Sequence, residues 1–288
     1  MPSLSNAHLA ISVNDKGAEL SSVQHQQHKI EYIWQANPDV WGRHAPMLFP
    51  IVGKLKDNQY QIDGNSFEMK QHGFARDRQF QLLNSGKDFL HFRLVSDEQT
   101  RALYPFDFEL NVFYKLVDNL VQIMYQVVNK SEVDMAFSIG AHPGFKVPMT
   151  AGGNYEDYEI HFEQKESLSR YLLDGGLYTG ETELVLDNSH SLPLTRQLFD
   201  KDALVFHHPE SSYIRLQSSE HSHSVRMGIR GFAYLGIWAK PGADFVCLEP
   251  WQGLADYTDT KGDLRMKKGI MTLAPHQIHY FNYDLLFN

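Results

Sequence analysis

The stretch from Asp107 to Lys130, DFELNVFYKLVDNLVQIMYQVVNK, decides the fold class. Phe108, Leu110, Val112, Tyr114 and Leu116 alternate with more polar neighbours, and Val121, Ile123, Tyr125 and Val127 repeat the alternation after Asp118-Asn119. Successive side chains in a strand point to opposite faces, so a period of two predicts a long hairpin with one buried face, turning at Asp118-Asn119. The same grammar extends outward. HLAISV at 8–13, IEYIW at 30–34 and DFLHFRLV at 88–95 are turn-bounded runs rich in aromatic and β-branched residues, as strands require. QYQIDGNSFEM at 59–69 reads as a second hairpin, turning at Asp63-Gly64. Helical text is confined to DEQTRALY at 97–104 and a short piece within SLPLTRQLFDKDAL at 191–204. AGGNYEDY at 151–158 reads as a surface loop, with strand-like sequence on both sides and no change of composition. The expectation is an all-β chain with few short helices, forming one domain over residues 1–288. Two large antiparallel sheets pack face to face, with a concave face broad enough for a ligand.

Composition narrows the function. The chain has 26 Lys+Arg against 35 Asp+Glu, a net charge of −9, and no basic cluster that could follow a phosphate backbone, so no nucleic-acid partner is expected. No apolar run approaches the ~18 residues of a spanning helix, and MPSLSNAHLAISVNDKG lacks the basic flank and apolar core of a secretion signal. No membrane partner and a cytoplasmic location are therefore expected. The single cysteine, Cys247, cannot form an internal disulfide and reads as a packing residue beside Glu249. No sequence feature specifies an oligomeric state.

Two short motifs carry chemistry. CLEPWQGLAD at 247–256 sets one carboxylate, Glu249, between an apolar run and Pro250, with Trp251 next; AHPGF at 141–145 sets His142 before Pro143. A residue before proline is biased toward extended backbone, so each titratable group is held on a fixed scaffold. A carboxylate can exchange a proton with a hydroxyl, and an indole can cover the apolar face of a pyranose. Either proline alone could simply end a strand. Together the motifs read as an acid and base pair at a sugar site. Among the 15 histidines, the pairs His207-His208 and His221-x-His223 suit a metal, but no Cys, Asp or third His joins them at a ligand spacing, so no metal is expected. QHGFARDR at 71–78 groups His72 with Arg76 and Arg78, a donor cluster for hydroxyls or an anion; the two arginines would share one face if the segment were extended. WGRHAPMLFPIVGKLKDNQY at 41–60 has two X-Pro steps and reads as an irregular apolar segment delivering Arg43, His44 and Lys54 to an edge. Asp202 of LFDKDALVF stands at a polar-to-apolar boundary, where it could also serve as a cap.

These pieces, in the order GAELSSV, EYIWQ, WGRHAPMLFPIVGKL, QHGFARD, AHPGF, LFDKDAL and GIWAKPGADFVCLEPWQGLAD, span nearly the whole chain and resemble the galactose mutarotase or aldose 1-epimerase superfamily, most closely its LacX-like branch. The resemblance implies a large antiparallel β-sandwich of the galactose mutarotase-like supersandwich type. It implies an isomerase that interconverts the α and β anomers of an aldohexose or hexose phosphate without a cofactor. By motif, His142 corresponds to the general acid, Glu249 to the general base, and His72 to a second sugar-binding histidine. Asp202, Lys54 and Arg76 are the further substrate-binding candidates. At GKL the chain carries Gly53-Lys54 where galactose-specific relatives carry an Asn-Arg pair, and a lysine point charge does not replace the planar fork of arginine. Two rival readings share the same residues. One is a non-catalytic carbohydrate sensor; the other is a β-sandwich glycoside hydrolase pairing Glu249 with Asp202 or Asp256.

Overall fold

In a computed structural model describing residues 1–288, Phe108–Val117 and Leu120–Asn129 form the hairpin read from the sequence, paired from Val117↔Leu120 to Phe108↔Asn129 with Asp118 at φ 49 in the turn. This hairpin lies inside a nine-stranded antiparallel sheet. Its order is Leu177–Pro193, Tyr158–Asp174, Tyr213–Ser218, Val225–Gly228, Ile278–Phe287, Leu120–Asn129, Phe108–Val117, Phe89–Val95 and Gln81–Ser85. A second sheet runs Leu204–His207, Tyr234–Trp238, Phe245–Gln252, Ile139–Ala141 and Met47–Leu48, with Gly144–Lys146 also paired to Phe245–Gln252. Leu110, Val112, Val121 and Ile123 of the larger sheet and Leu235, Ile237, Val246 and Leu248 of the smaller belong to one cluster of 70 buried residues. Fully burying such a side chain is worth about 1.5–3 kcal/mol, so this shared layer, rather than the turns, dominates stability. No helix is long and apolar enough to cross a membrane.

Local signals act where they were read. Asp63 and Gly64 take φ of 51 and 78 between Gln59–Ile62 and Asn65–Glu68, the positive-φ pair of a two-residue hairpin turn. The helix Glu98–Leu103 starts at Asp97, whose side chain accepts from the Thr100 N–H while Thr100 Oγ1 accepts from the Asp97 N–H. Two segments differ from expectation. Residues 191–204 contain no helix: Leu192 stays in the sheet opposite Ile160, and the following residues form single turns, with Leu198, Asp200 and Asp202 N–H groups bonding carbonyls three residues back. IEYIW forms isolated bridges instead of a strand. It crosses from Glu19–His25 to Gly144–Lys146, Tyr32 donating to the Val23 carbonyl and accepting from the Lys146 N–H.

One long hairpin links the sheets. Tyr158–Asp174 and Leu177–Pro193 extend well beyond the larger sheet, and their Gly175-Gly176 tip is fastened beside the smaller one. Tyr178 N–H donates to the Asp256 carbonyl at 2.9 Å, and Thr258 N–H donates to the Tyr178 carbonyl at 3.0 Å.

Candidate active site

The site grows from the register of Phe245–Gln252. Gly140 pairs with Trp251 and Gly144 with Cys247, so the same register continued between them sets His142 opposite Glu249. Opposed residues of an antiparallel pair share a face. Pro143 and Pro250 have no N–H to donate, which interrupts the ladder there, although Leu248 N–H still reaches the Pro143 carbonyl at 3.2 Å. On the other flank, Tyr234, Gly236 and Trp238 stand opposite Trp251, Glu249 and Cys247. Val246 and Leu248 point into the shared core, whereas Cys247, Glu249 and Trp251 point away from it. Glycines make the space this face needs. A Cβ at Gly140 would fall 2.6 Å from Trp251, one at Gly236 2.8 Å from the same indole, and one at Gly144 2.8 Å from Trp41.

This face floors a cavity of about 500 Å³, and His142, Glu249, His72, Asp202, Lys54 and Arg76 all line it. His142 Nε2 lies 3.1 Å from Glu249 Oε2. The alignment falls short of a hydrogen bond, so Glu249 Oε2 has no partner, and neither has the other imidazole nitrogen, the buried His142 Nδ1. Glu249 is 1% exposed. Burial drives its carboxyl well above the usual carboxylate range, opposed by the Trp251 indole and reinforced by the charge of Asp202. Burial also lowers His142, to about 3, with Arg76 and Arg43 acting in the same sense. Both groups are thus held un-ionised in the pocket. Trp41 stacks on the His142 ring at 5.2 Å between centroids, and Trp238 meets it edge-on at 6.0 Å.

His72 is fixed by reciprocal bonds with Gly53: its Nδ1 accepts from the Gly53 N–H at 3.1 Å, and its own N–H donates to the Gly53 carbonyl at 2.9 Å. With Nδ1 accepting, the neutral ring carries its proton on Nε2, a donor for a sugar oxygen. Burial, then the neighbouring His142, Arg76 and Arg43, hold His72 well below the ordinary histidine range. The two glycine-like conformations involved, Gly53 at φ 75 and His72 at φ 65, keep the loops in close contact; a Cβ at Gly53 would fall 2.6 Å from Ala255. Arg76 donates to the Gln71 carbonyl at 2.6 Å, while its buried Nε has no partner. Lys54 Nζ donates to the Gly175 carbonyl at 2.8 Å, tying the pocket rim to the hairpin tip. Asp202, at φ 78, is exposed at the mouth and accepts from the Ala203 N–H.

Several neighbours of these residues have other duties. Ala75–Asp77 is a 3₁₀ turn rather than extended, so Arg78 leaves the pocket and pairs with Asp97. Arg43 pairs with Asp77 at 3.1 Å, and His44 Nδ1 bonds the Trp34 carbonyl at 2.9 Å. Asp256 is buried against Lys267 at 2.9 Å and also accepts from the Lys56 N–H, so it does not face a sugar. Residues 221–223 form a loop, not the strand that would align two imidazoles; His221 instead bonds the Tyr158 hydroxyl, and His207 stacks on Tyr171. Trp238 and Tyr178 line the cavity although neither was singled out. Alternation from Gly236 could have found Trp238. Nothing local to Tyr178 signals that its hairpin reaches the smaller sheet.

A family model described as Aldose 1-epimerase matches residues 2–271. Two LacX proteins of Lactococcus lactis subsp. lactis, chromosomal and plasmid, are each 30% identical over 292 aligned positions, covering 98% of this chain and 97% of the relative. The solved galactose mutarotase related enzyme of Lactobacillus acidophilus superposes with a TM-score of 0.96 at 35% identity, covering 100% of this chain and 97% of that one. A galactose mutarotase-like protein of Lactobacillus casei ATCC 334 gives 0.94 at 30% identity with full coverage of both chains.

Proposed function

The chain belongs to the aldose 1-epimerase family, and from that membership we propose that it is an aldose 1-epimerase acting in the cytoplasm as one domain, with His142 and Glu249 as its acid and base. The observation that carries the reading is the 3.1 Å approach of an imidazole and a carboxyl on the floor of a sugar-sized cavity. The hydroxyl and ring oxygens of a hemiacetal share one carbon, so the groups that serve them must be close neighbours. Carboxylic acid plus neutral imidazole holds as many protons as carboxylate plus imidazolium. The resting and working forms therefore differ by one proton crossing from Glu249 to His142, once bound hydroxyls solvate the pair.

In the working form Glu249 removes the proton from the C1 hydroxyl while His142 protonates the ring oxygen. The ring opens to an aldehyde, rotation about C1–C2 presents the other carbonyl face, and closure returns both protons. His72 Nε2–H and Asp202 hold hydroxyls, and Trp251 and Trp41 offer apolar faces. The test is anomer exchange followed by polarimetry on fresh α-glucose, α-galactose and glucose-6-phosphate, comparing wild type with Glu249→Gln and His142→Asn. Acceleration that both variants lose supports the assignment; no acceleration on any sugar overturns it in favour of a binding protein.

The unpartnered Arg76 Nε and Lys54, which has no carboxylate partner, favour an anionic sugar such as a hexose phosphate as substrate. Competition by hexose phosphate that weakens as salt rises supports that choice, and indifference to it favours a free hexose.

A further inference from the structure

Cys247 has no part in the proposed proton transfers, yet it stands one residue pair from Glu249 on the same strand face. The candidate ligand atoms of His142, Cys247 and Glu249 all lie within 4.8 Å of one another, and all three residues are buried. We propose that these three side chains bind a thiophilic divalent cation, Zn²⁺ or Cd²⁺, and that its occupancy switches the pocket off. The inhibitory consequence rests on the catalytic reading of His142 and Glu249; the binding does not.

Geometry and chemistry both support the site. Tetrahedral zinc with Zn–N and Zn–O near 2.0–2.2 Å and Zn–S near 2.3 Å sets its ligand atoms about 3.3–3.8 Å apart. The His142–Glu249 pair is already inside that distance at 3.1 Å, so closure needs an adjustment of about 1 Å at Cys247, within reach of a rotamer shift. Glu249 Oε2, one of the two atoms in that contact, is buried without a partner, which leaves lone-pair capacity that a cation can satisfy. One thiolate, one imidazole and one carboxylate form a three-ligand set suited to zinc, with the fourth position open toward the cavity that His142 and Glu249 line. Binding releases two protons to solvent, one from the Cys247 thiol and one from the Glu249 carboxyl, and engages Glu249 as carboxylate and His142 as neutral imidazole. The base and the acid are then both occupied.

Cys247 belongs with Ala243 and Phe245 to a small buried cluster covered by Trp34, Trp41 and Trp238, and it lies outside the cavity lining, so Cys247→Ala leaves the acid and base in place. The full chain, stripped with chelator, is titrated with CdCl₂ and ZnCl₂ while the ultraviolet cadmium–thiolate band, calorimetric stoichiometry and anomer exchange are followed. A single equivalent of Cd²⁺ should raise the band, and either ion should suppress turnover until chelator restores it. Cys247→Ala should keep its basal rate, lose the band and weaken inhibition by about 10–100-fold or more. Cys247→Ser serves as the second variant if the alanine protein does not fold. Absence of the thiolate band, or equal inhibition of wild type and Cys247→Ala, overturns the proposal. If the stripped protein moves no anomer, the band and stoichiometry still decide the binding site, so its failure is separable from failure of the epimerase reading.

Discussion

Replacing Glu249 with glutamine should cripple turnover and stabilise the fold, and the second effect carries a definite pH signature. Burial holds the native Glu249 carboxyl protonated far above the ordinary carboxylate range. The unfolded carboxyl ionises near the ordinary glutamate value of 4.5. At any pH between these limits the native carboxyl holds a proton that the unfolded one has lost, so the contribution of Glu249 to wild-type stability falls as pH rises, by about 1.4 kcal/mol per unit. Glutamine has no such slope. Over the two units from pH 5 to pH 7 the variant should gain up to about 2.7 kcal/mol relative to wild type, or roughly 4–8 °C in Tm for a chain of this size.

The alternative protonation state predicts the reverse. If the native pair were carboxylate and imidazolium, glutamine would strand a buried imidazolium and cost about 3–5 kcal/mol. The assays are urea unfolding of both proteins at pH 5, 6 and 7, and polarimetric anomer exchange. Loss of a positioned proton-transfer group should cost roughly 10²–10⁴-fold in rate. A variant less stable than wild type at pH 7, or a stability difference that does not grow with pH, would refute the un-ionised resting pair.

Three further outcomes follow from the same structure. Gly140→Ala puts a Cβ 2.6 Å from Trp251 Cδ1 on a floor with no slack, and overpacking of this kind should cost about 1–3 kcal/mol, seen as a lower urea midpoint, with a lower rate as the indole shifts. Lys267→Met strands the buried Asp256 carboxylate, whose N–H holds the Lys54 carbonyl and whose side chain accepts from Lys56; denaturation should show a loss of about 3–5 kcal/mol. Acid should destabilise the protein below pH 6.5: His142, His72 and His207 are depressed mainly by burial, so the unfolded chain takes up these protons first and stability is lost as pH falls through that window. His72→Gln should flatten that slope in a pH series of unfolding midpoints.

What the sequence disclosed follows from the range of the forces involved. The hairpin at 107–130 was legible because alternation and a two-residue turn are both encoded within the segment. His142 and Glu249 were legible as extended, proline-followed residues, but their 3.1 Å approach depends on a register set by Gly140↔Trp251 and Gly144↔Cys247, pairs more than 100 positions apart in the chain. The helical text at 191–204 failed because Leu192 gains more from the sheet and Leu194 and Phe199 from the core than a short helix returns, isolated helices of that length being marginal. Tyr178 was hidden for a related reason: a 17-residue strand looks the same locally whether it ends over solvent or over a pocket. Glycine was the overlooked clue. Gly140, Gly144 and Gly236 lie in or beside strands, where glycine is costly, and each leaves room for a tryptophan ring. An apolar strand that places glycine opposite a titratable or aromatic residue is therefore evidence that one face of its sheet carries a site instead of a core.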